Sequence, residues 1–221
     1  MEKRIVEAYV GEYASGKSEN AVNRAIALQR QGLQVTLADL DTVEPCYTLR
    51  PLKKDLEQLG LHVIAWETKE TVGLGEAGCV IKGEMRWVLR RRGSIIMDIG
   101  YGAQGSSIFD LVEGAGEDPD LQVFAVVNAR RPMTGSTALI VEHIRGLGRV
   151  DGIINNTHMA EETTVEIVEE GARLIAEAAY VLKIPVVATS AMAEVAGRIG
   201  EKDTMGNPVW PLNRYMPKSF W

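Results

Sequence analysis

The chain is poor in the residues that mark disulfide-rich, zinc-binding or membrane proteins. Its 221 residues include two cysteines, Cys46 and Cys79, and three histidines, with no CxxC pair and no His/Cys cluster. This scarcity argues against a disulfide framework or a structural zinc site, and it is typical of reduced thiols. No apolar stretch is long enough for a signal peptide or a membrane span, so we expect a cytoplasmic protein.

Positive charge is also in short supply. The formal net charge is -6, and aromatic residues make up 6% of the chain. Binding to nucleic acid or to an anionic membrane depends on a positive field, so this composition disfavours both partners. The basic run Arg90-Arg91-Arg92 closes a predicted helix, where cations complement the helix dipole, and we interpret it in that way.

Apolar segments with strand and helix periodicity alternate along the chain. Strands are predicted at 5–10, 33–40, 61–66, 94–99, 123–128, 152–155 and 186–189, and helices at 17–31, 52–59, 84–92, 136–147, 161–182 and 191–199. Alternation of this kind predicts an α/β fold with a mainly parallel central sheet covered on both faces. We expect a single domain over residues 1–221, with an irregular segment at 67–83. The aromatic C-terminal tail, 207–221, contains three prolines and is predicted to be extended, packed on the body or on a second subunit.

The first predicted strand and helix flank a phosphate-binding motif. Gly11-Glu12-Tyr13-Ala14-Ser15-Gly16-Lys17-Ser18 fits the Walker A pattern at every specified position. Glycines let the backbone curl so that its N–H groups face an anion, and the helix start adds its dipole. Lys17 supplies a charge to the β- and γ-phosphates, and the Ser18 hydroxyl can bind Mg²⁺. The motif therefore predicts a three-layer P-loop NTPase, and we expect the nucleotide to contact the loop and Glu19 beyond it.

Carboxylates follow two of the strands predicted to neighbour this loop. Asp39 and Asp41 end the strand Val35-Thr36-Leu37-Ala38-Asp39, and because they are two residues apart they share a face if the strand stays extended. Asp98 ends another apolar strand and is followed by Gly100, the Walker B arrangement. A P-loop needs a carboxylate at a strand end to hold its metal, and the carboxyl ends of parallel strands are where such sheets bind ligands.

Taken together, these motifs resemble the MinD/ParA/CobQ-CobB group of P-loop ATPases over roughly residues 1 to 200. The resemblance implies ATP and Mg²⁺ as cofactors, with Asp39 helping to hold the metal and Asp41 positioning the attacking water. It also implies that Asp98 contacts the metal through water and that the Gly100 amide senses the γ-phosphate.

Two features depart from the MinD/ParA type. That type carries a signature lysine directly after the first glycine of the loop, which reaches into the partner subunit's nucleotide, and here the position is Glu12. The tail from Trp210 to Trp221 also lacks the basic amphipathic helix that anchors MinD to membranes. We therefore expect no membrane cycling, and the sequence leaves open whether a homodimer closes the site.

Polar residues after two later strands are further candidates. Asn155 or Asn156 occupies the family's base-reading position, where an amide offers both a donor and an acceptor to adenine. Arg130 or Arg131 could stabilise phosphate charge or bind an anionic substrate, and pairing with surface acids is an equal alternative.

These residues favour an Mg²⁺-dependent ATPase that acts as a nucleotide switch on a protein client. The alternatives are an ATP-dependent ligase or synthetase of the CobB or dethiobiotin-synthetase type, and an ATP-binding module without hydrolysis. The absence of an NKxD motif favours ATP over GTP.

Overall fold

A single sheet of eight strands runs through the part of the chain that the computed structural model describes, residues 4–42, 49–67 and 81–216. The strands are β1 (Val6–Gly11), β2 (Val35–Leu40), β3 (His62–Ile64), β4 (Ser94–Ile99), β5 (Leu121–Val127), β6 (Gly152–Asn155), β7 (Val186–Met192) and β8 (Val209–Leu212). Each neighbouring pair is parallel, in the order β3-β2-β4-β1-β5-β6-β7-β8. This confirms the predicted α/β class with a mainly parallel sheet.

Helices connect these strands and cover both faces of the sheet. They are α1 (Lys17–Arg30), α2 (Lys53–Gln58), α3 (Gly83–Arg86), α4 (Gly102–Ser106), α5 (Thr137–Gly146), α6 (Val165–Leu182) and α7 (Ala193–Ile199). Apolar residues of α1 and α2 form one core with the sheet, and those of α5 and α6 form the other. The central strands β1, β2 and β4 are buried along their whole length, as expected of strands covered on both faces.

A buried ion pair fixes α1 against β1, the two elements that flank the phosphate loop. Glu7 of β1 is 4% exposed, and its carboxylate accepts hydrogen bonds from Arg24 Nε and Nη2 of α1 at 2.9 and 2.8 Å. The Tyr9 hydroxyl donates to the same carboxylate at 2.9 Å. Because a buried carboxylate is tolerated only when it is paired and hydrogen-bonded, these contacts tie the helix to the strand at a defined position.

Three predicted elements differ from the structure by more than two residues at one end. The helix predicted at 84–92 is the single turn α3 followed by a 3₁₀ turn at Val88–Arg90, because only Met85, Val88 and Leu89 of this stretch are buried. The helix predicted from residue 161 begins at Val165, where the Thr164 side chain accepts a hydrogen bond from the Ile167 N–H.

The third difference lies near the C-terminus. Residues predicted to open the last helix instead extend β7 to Met192, and the tail adds β8 beside it. Residues 209–212 of the tail, which was predicted to be extended and packed on the body or on a second subunit, thus lie in the sheet, to which the sequence analysis did not assign them.

Several predicted features lie outside the described residues: Cys46, Cys79, residues 68–80 of the irregular segment and residues 217–221 of the tail. Among the helices of the described ranges, none is both long and apolar enough to cross a membrane.

Candidate functional site

The loop between β1 and α1 has the backbone geometry that the Walker A glycines predict. Gly16 precedes α1 with φ 90°, a conformation that favours glycine, and a Cβ there would lie 2.1 Å from Asn156 Nδ2. A Cβ on Gly11 would lie 2.5 Å from the Val126 carbonyl oxygen. Both glycines are therefore required by the close approach of neighbouring groups, and the loop is held between β1, β5 and the segment after β6.

Two of the predicted metal-site carboxylates stand side by side on adjacent strands. Asp39 of β2 is directly opposite Asp98 of β4. The Asp39 carboxylate accepts hydrogen bonds from the backbone N–H groups of Asp41 at 3.2 Å and Leu49 at 3.0 Å. Burial raises the pKa of Asp39 to about 7, and the nearby Asp41 carboxylate adds to this shift.

The Asp98 carboxylate, unlike that of Asp39, accepts no backbone N–H group of the described residues. Asp98 is 1% exposed, and within the described residues neither carboxyl oxygen accepts a hydrogen bond of normal geometry. Burial raises the pKa of Asp98 to about 8; Lys17 opposes the shift, as does the nearby Ser18 hydroxyl, and the carboxylates of Asp39 and Asp41 increase it. A buried carboxylate without partners is costly, so this position is suited to a positively charged ligand.

Mg²⁺ fits this donor set. Among the described residues no three acidic, histidine or cysteine side chains converge closely enough to hold a metal on their own. Mg²⁺, however, commonly keeps several waters and is bound by one or two carboxylates together with substrate phosphates. The Ser18 hydroxyl, with Asp98 and Asp39 behind it, offers oxygen ligands of this kind beside the phosphate loop.

The loop lysine already has a carboxylate partner. Lys17 Nζ lies 3.8 Å from Asp41 Oδ2, and both residues are 6% exposed. The two side chains also line the same cavity. A cation and a carboxylate paired at a cavity wall can separate when an anion enters, because the anion replaces the carboxylate as partner of the cation.

A cavity of about 270 Å³ runs from this pair along the carboxyl edge of the sheet. One part is lined by the phosphate loop and by residues after β2, β4 and β5: Tyr13, Ala14, Gly16, Lys17, Ser18, Asp41, Tyr101 and Arg131. The other part is lined by residues that follow β6, that end β7 and β8, or that follow β8, including Ala160, Ala191, Met192, Leu212, Arg214 and Met216. We call these the phosphate end and the apolar end, which follow the strand order across the sheet.

The wall of the apolar end is completed by residues 213–216, which we call the C-terminal strap. Asn213 exchanges two hydrogen bonds of 2.8 Å with the Asn23 side chain of α1. The Glu19 carboxylate accepts the backbone N–H groups of Tyr215 at 2.5 Å and Met216 at 3.2 Å. Burial raises the pKa of Glu19, and these two amides oppose the shift. Glu19 lines the cavity and its carboxylate holds the strap, while its contact with a nucleotide stays a prediction.

The two predicted base-reading asparagines are not equivalent. Asn155 is fully buried and does not line the cavity; its Nδ2 donates to the Val168 carbonyl and to Thr189 Oγ1, and its Oδ1 accepts from Thr157. The structure therefore assigns Asn155 to the protein interior, because β6 directs its side chain into a closed hydrogen-bond network. Asn156 does line the cavity, and its Nδ2 donates to the Ser15 carbonyl at 2.7 Å while its Oδ1 accepts from Ser190 at 3.0 Å.

Other predicted contacts are less direct. Gly100 is buried at the end of β4 and is not among the described residues that line the cavity. Gly11, Ser15, Asp39 and Asp98 are likewise behind the cavity wall. Any role of the Gly100 amide in sensing phosphate stays a prediction.

The two candidate arginines point to different places. Arg130 forms an exposed ion pair with Glu170 of α6, away from the cavity. Arg131 lines the phosphate end, where its Nε donates to the Ala14 carbonyl of the loop at 3.2 Å. Of the two alternatives from the sequence analysis, Arg130 thus shows pairing with a surface acid, whereas Arg131 lies where it could meet an anionic ligand.

His158 also lines the cavity, between two cations. Burial, together with the guanidinium groups of Arg131 and Arg214, lowers its pKa to about 4. It is therefore neutral at physiological pH, and its Nδ1 accepts the Ala160 N–H at 3.3 Å. The cavity lining carries three cations, Lys17, Arg131 and Arg214, and two acids, Asp41 and Glu19, so with His158 neutral its formal charge is positive by one, which favours an anionic ligand.

Sequence reasoning missed the apolar lining and the strap. Met192, Leu212 and Met216 come from the ends of three separate elements, and no short motif connects them. The aromatic residues Tyr13 and Tyr101 were also missed; their rings pack edge to face with centroids 5.6 Å apart at the phosphate end. The one sequence feature that could have indicated the apolar lining and the strap was the high proportion of apolar and aromatic residues in the tail.

Comparison with solved structures identifies the fold. FtsY from Thermotoga maritima has a TM-score of 0.59 at 19% identity, covering 86% of this chain and 62% of that one. FtsY from Elizabethkingia anophelis in complex with GDP has a TM-score of 0.58 at 16% identity, covering 86% and 57%. FlhF complexed with GTP and Mg²⁺ has a TM-score of 0.52 at 18% identity, covering 83% and 64%. The chain has the P-loop NTPase fold.

This likeness is one of architecture. The identities are below 20%, and the chain spans about six tenths of the length of these three structures. No protein-family model matches the chain, and no curated protein matches it. The P-loop NTPase fold is therefore shown, and the more specific likeness to MinD and ParA remains a prediction.

Proposed function

We propose that this protein binds Mg²⁺ and a nucleoside triphosphate, ATP in preference to GTP, and hydrolyses it as a cytoplasmic nucleotide switch of the MinD/ParA kind. The observation that carries the proposal is the buried Lys17–Asp41 pair at the phosphate end of a cavity that continues to an apolar end. A charged end and an apolar end match the two halves of a nucleotide, its phosphates and its base.

The phosphate end supports triphosphate binding. Lys17, the loop N–H groups and the start of α1 present positive charge to the phosphates. The chemistry that Mg²⁺ would supply there is neutralisation of the charge that develops on the phosphates. Ser18, Asp98 and Asp39 would hold Mg²⁺, and the unsatisfied carboxyl oxygens of Asp98 are the observation that supports this assignment.

Hydrolysis would use the carboxylate that Lys17 releases. When phosphate replaces Asp41 as the partner of Lys17, the Asp41 carboxylate can accept a hydrogen bond from a water and orient it toward the γ-phosphorus. The new P–O bond then forms as the bond to the β-phosphate oxygen breaks, and ADP and inorganic phosphate leave. The loops after β2 and β4 carry Asp41 and Tyr101, so they are the segments that would respond to hydrolysis.

The cavity composition supports ATP. Guanine presents two neighbouring N–H donor groups, which a carboxylate can accept together. The carboxylates among the described lining residues are Asp41, 3.8 Å from Lys17, and Glu19, which accepts the two amides of the strap. The segment after β6 reads Asn155-Asn156-Thr157-His158 and adds no acid. GTP is the second candidate, because FtsY and FlhF structures with this fold contain GDP or GTP.

Calorimetric titration of the purified chain with ATP and GTP, each with Mg²⁺ and with EDTA, tests this proposal. We expect Mg²⁺-dependent binding that is at least about tenfold tighter for ATP, a difference of about 1.4 kcal/mol. Tighter binding of GTP would reverse the assignment of the base, and absence of binding by either nucleotide would contradict the proposal.

Turnover measurements then separate a switch from the other uses of ATP. We expect phosphate release with water alone and its loss in Asp41→Asn, with nucleotide binding retained. Turnover that requires an added small carboxylate or amine would instead identify a ligase or synthetase. Tight binding with background turnover, unchanged in Asp41→Asn, would identify a binding module without hydrolysis.

A further inference from the structure

The acid at the second position of the phosphate loop faces away from the cavity. Glu12 Oε1 accepts the backbone N–H of Met133 at 3.3 Å, and its Oε2 lies 3.1 Å from Thr134 Oγ1. The Thr134 hydroxyl is also 2.7 Å from the Asn128 carbonyl oxygen, so its one proton is shared between these acceptors. Glu12 is thereby bonded to the segment that follows β5, and it is not among the described residues that line the cavity.

The same segment carries an arginine back to the loop. Its backbone is folded by hydrogen bonds from Arg131 N to the Asn128 carbonyl and from Thr134 N to the Arg131 carbonyl. Arg131 Nε donates to the Ala14 carbonyl, and the side chain lines the phosphate end. The loop and this segment are thus joined twice, once through Glu12 and once through Arg131.

We infer that Arg131 is a phosphate-binding residue of this site and that Glu12 is its positioning residue. The inference rests on the proposed function. Of the five N–H donors of the guanidinium group, one is bonded to Ala14 among the described residues, and the others remain for phosphate oxygens. Arg130 is not equivalent, because its guanidinium pairs with Glu170 outside the cavity.

The charge environment agrees with this placement. Arg131 is close enough to His158 to lower its pKa, and His158 lines the same cavity as Lys17. The ligand that meets Lys17 therefore also meets the field of Arg131. A group in this position binds each additional phosphate more strongly, since the Coulomb attraction grows with the charge of the ligand.

Binding of adenosine, AMP, ADP and ATP to the full chain tests the assignment. In Arg131→Ala we expect ATP to bind at least tenfold more weakly, with a loss that shrinks as phosphates are removed and disappears for adenosine. Arg131→Lys should recover part of the affinity, because it restores the charge without the forked geometry. Arg130→Ala is the matched control and should bind ATP within twofold of the unchanged chain.

The positioning role of Glu12 needs a separate readout. We expect Glu12→Ala to weaken ATP binding several-fold and Glu12→Gln to bind ATP with nearly the affinity of the unchanged chain. Glu12→Ala combined with Arg131→Ala should bind ATP no more weakly than Arg131→Ala alone. An NMR titration of His158 without nucleotide gives the same coupling independently. The pKa of His158 should rise in Arg131→Ala and in Glu12→Ala. Both variants keep Arg214, the other cation that lowers this pKa.

These results separate the inference from the proposed function. If the unchanged chain binds no nucleotide, the proposed function fails, whereas the response of His158 still reports whether Glu12 places Arg131. An Arg131→Ala loss that is equal for adenosine and ATP, or no larger than that of Arg130→Ala, would overturn the assignment of Arg131. Additive effects of the Glu12 and Arg131 substitutions would overturn the role of Glu12.

Discussion

The phosphate end and the apolar end of the cavity are built in different ways. The phosphate end depends on a contiguous loop, Gly11 to Ser18, and on charged groups at the ends of neighbouring strands. The apolar end is assembled from single residues of distant segments and is closed by the C-terminal strap through Glu19 and Asn23. In the proposed function, the first arrangement binds the charge that is common to all nucleotides, and the second supplies the surface that selects the base.

Removal of the loop lysine is the strongest way to test the phosphate end. Lys17→Ala should weaken ATP binding by about 100-fold or more, because a buried cation that bonds phosphate contributes about 3 kcal/mol to the free energy of binding. Titration calorimetry measures the loss, and Lys54→Ala, an exposed lysine of α2, is the control. An equal affinity of Lys17→Ala and the control would show that the phosphates bind elsewhere.

The buried carboxylate of Asp98 should separate metal binding from stability. Asp98→Asn should weaken the binding of Mg²⁺-ATP about tenfold and reduce the effect of EDTA on that binding, since a metal-site carboxylate is lost. It should also raise the Tm of the ligand-free protein near pH 7 by a few degrees, because a buried amide needs no proton, whereas Asp98, whose pKa is raised by burial, must take one up as the chain folds. Asp110→Asn, an exposed acid, should change neither quantity, and a lower Tm without loss of the Mg²⁺ effect would contradict this assignment.

The strap tests the apolar end. Glu19→Ala removes the acceptor of the Tyr215 and Met216 amides, so the strap should loosen and both ATP and adenosine should bind about 3- to 10-fold more weakly. An equal loss for the two ligands distinguishes the base end from the phosphate end. Glu142→Ala on the exposed face of α5 serves as the control. If only ATP were affected, Glu19 would belong functionally to the phosphate end.

The smallest expected effect is a change in the pKa of His158 when ATP binds. The pKa of His158 is about 4 in the folded chain, below the ordinary histidine value of 6.5. The unfolded state therefore binds more protons between these values, and this group's contribution to stability is complete above pH 6.5 and declines as the pH falls toward 4. NMR titration should show the low pKa and an increase when ATP binds, because phosphate opposes the field of the arginines. A pKa near 6.5 without ligand would contradict the electrostatics described for the cavity.

The difference between the two ends also explains what could be predicted from the sequence. The Walker A residues and the acids Asp39, Asp41 and Asp98 were predictable because strand ends of a parallel sheet meet at one edge, and local motifs mark them. Asn155 could not be distinguished from Asn156, since one ends β6 and the other follows it, and only the path of the backbone there decides which side chain enters the cavity. Arg130 and Arg131 both lie beyond the end of β5, where no strand periodicity shows which side chain faces the phosphate loop.

The strap was harder to predict for a different reason. Its contacts with Glu19 and Asn23 join residues that are about 190 positions apart and use backbone amides, which have no sequence signature. The composition of the tail indicated packing on the body, but the strand β8 and its place beside β7 follow only from the assembled sheet.

A crystal structure of the chain with Mg²⁺ and a slowly hydrolysed ATP analogue would test the central claim most directly. The account predicts phosphates against Gly11–Ser18, Lys17 moved from Asp41 to the phosphates, Mg²⁺ beside Ser18 and Asp98, and the base among Met192, Leu212 and Met216. Phosphates bound away from the loop, or a base outside the space closed by the strap, would contradict it.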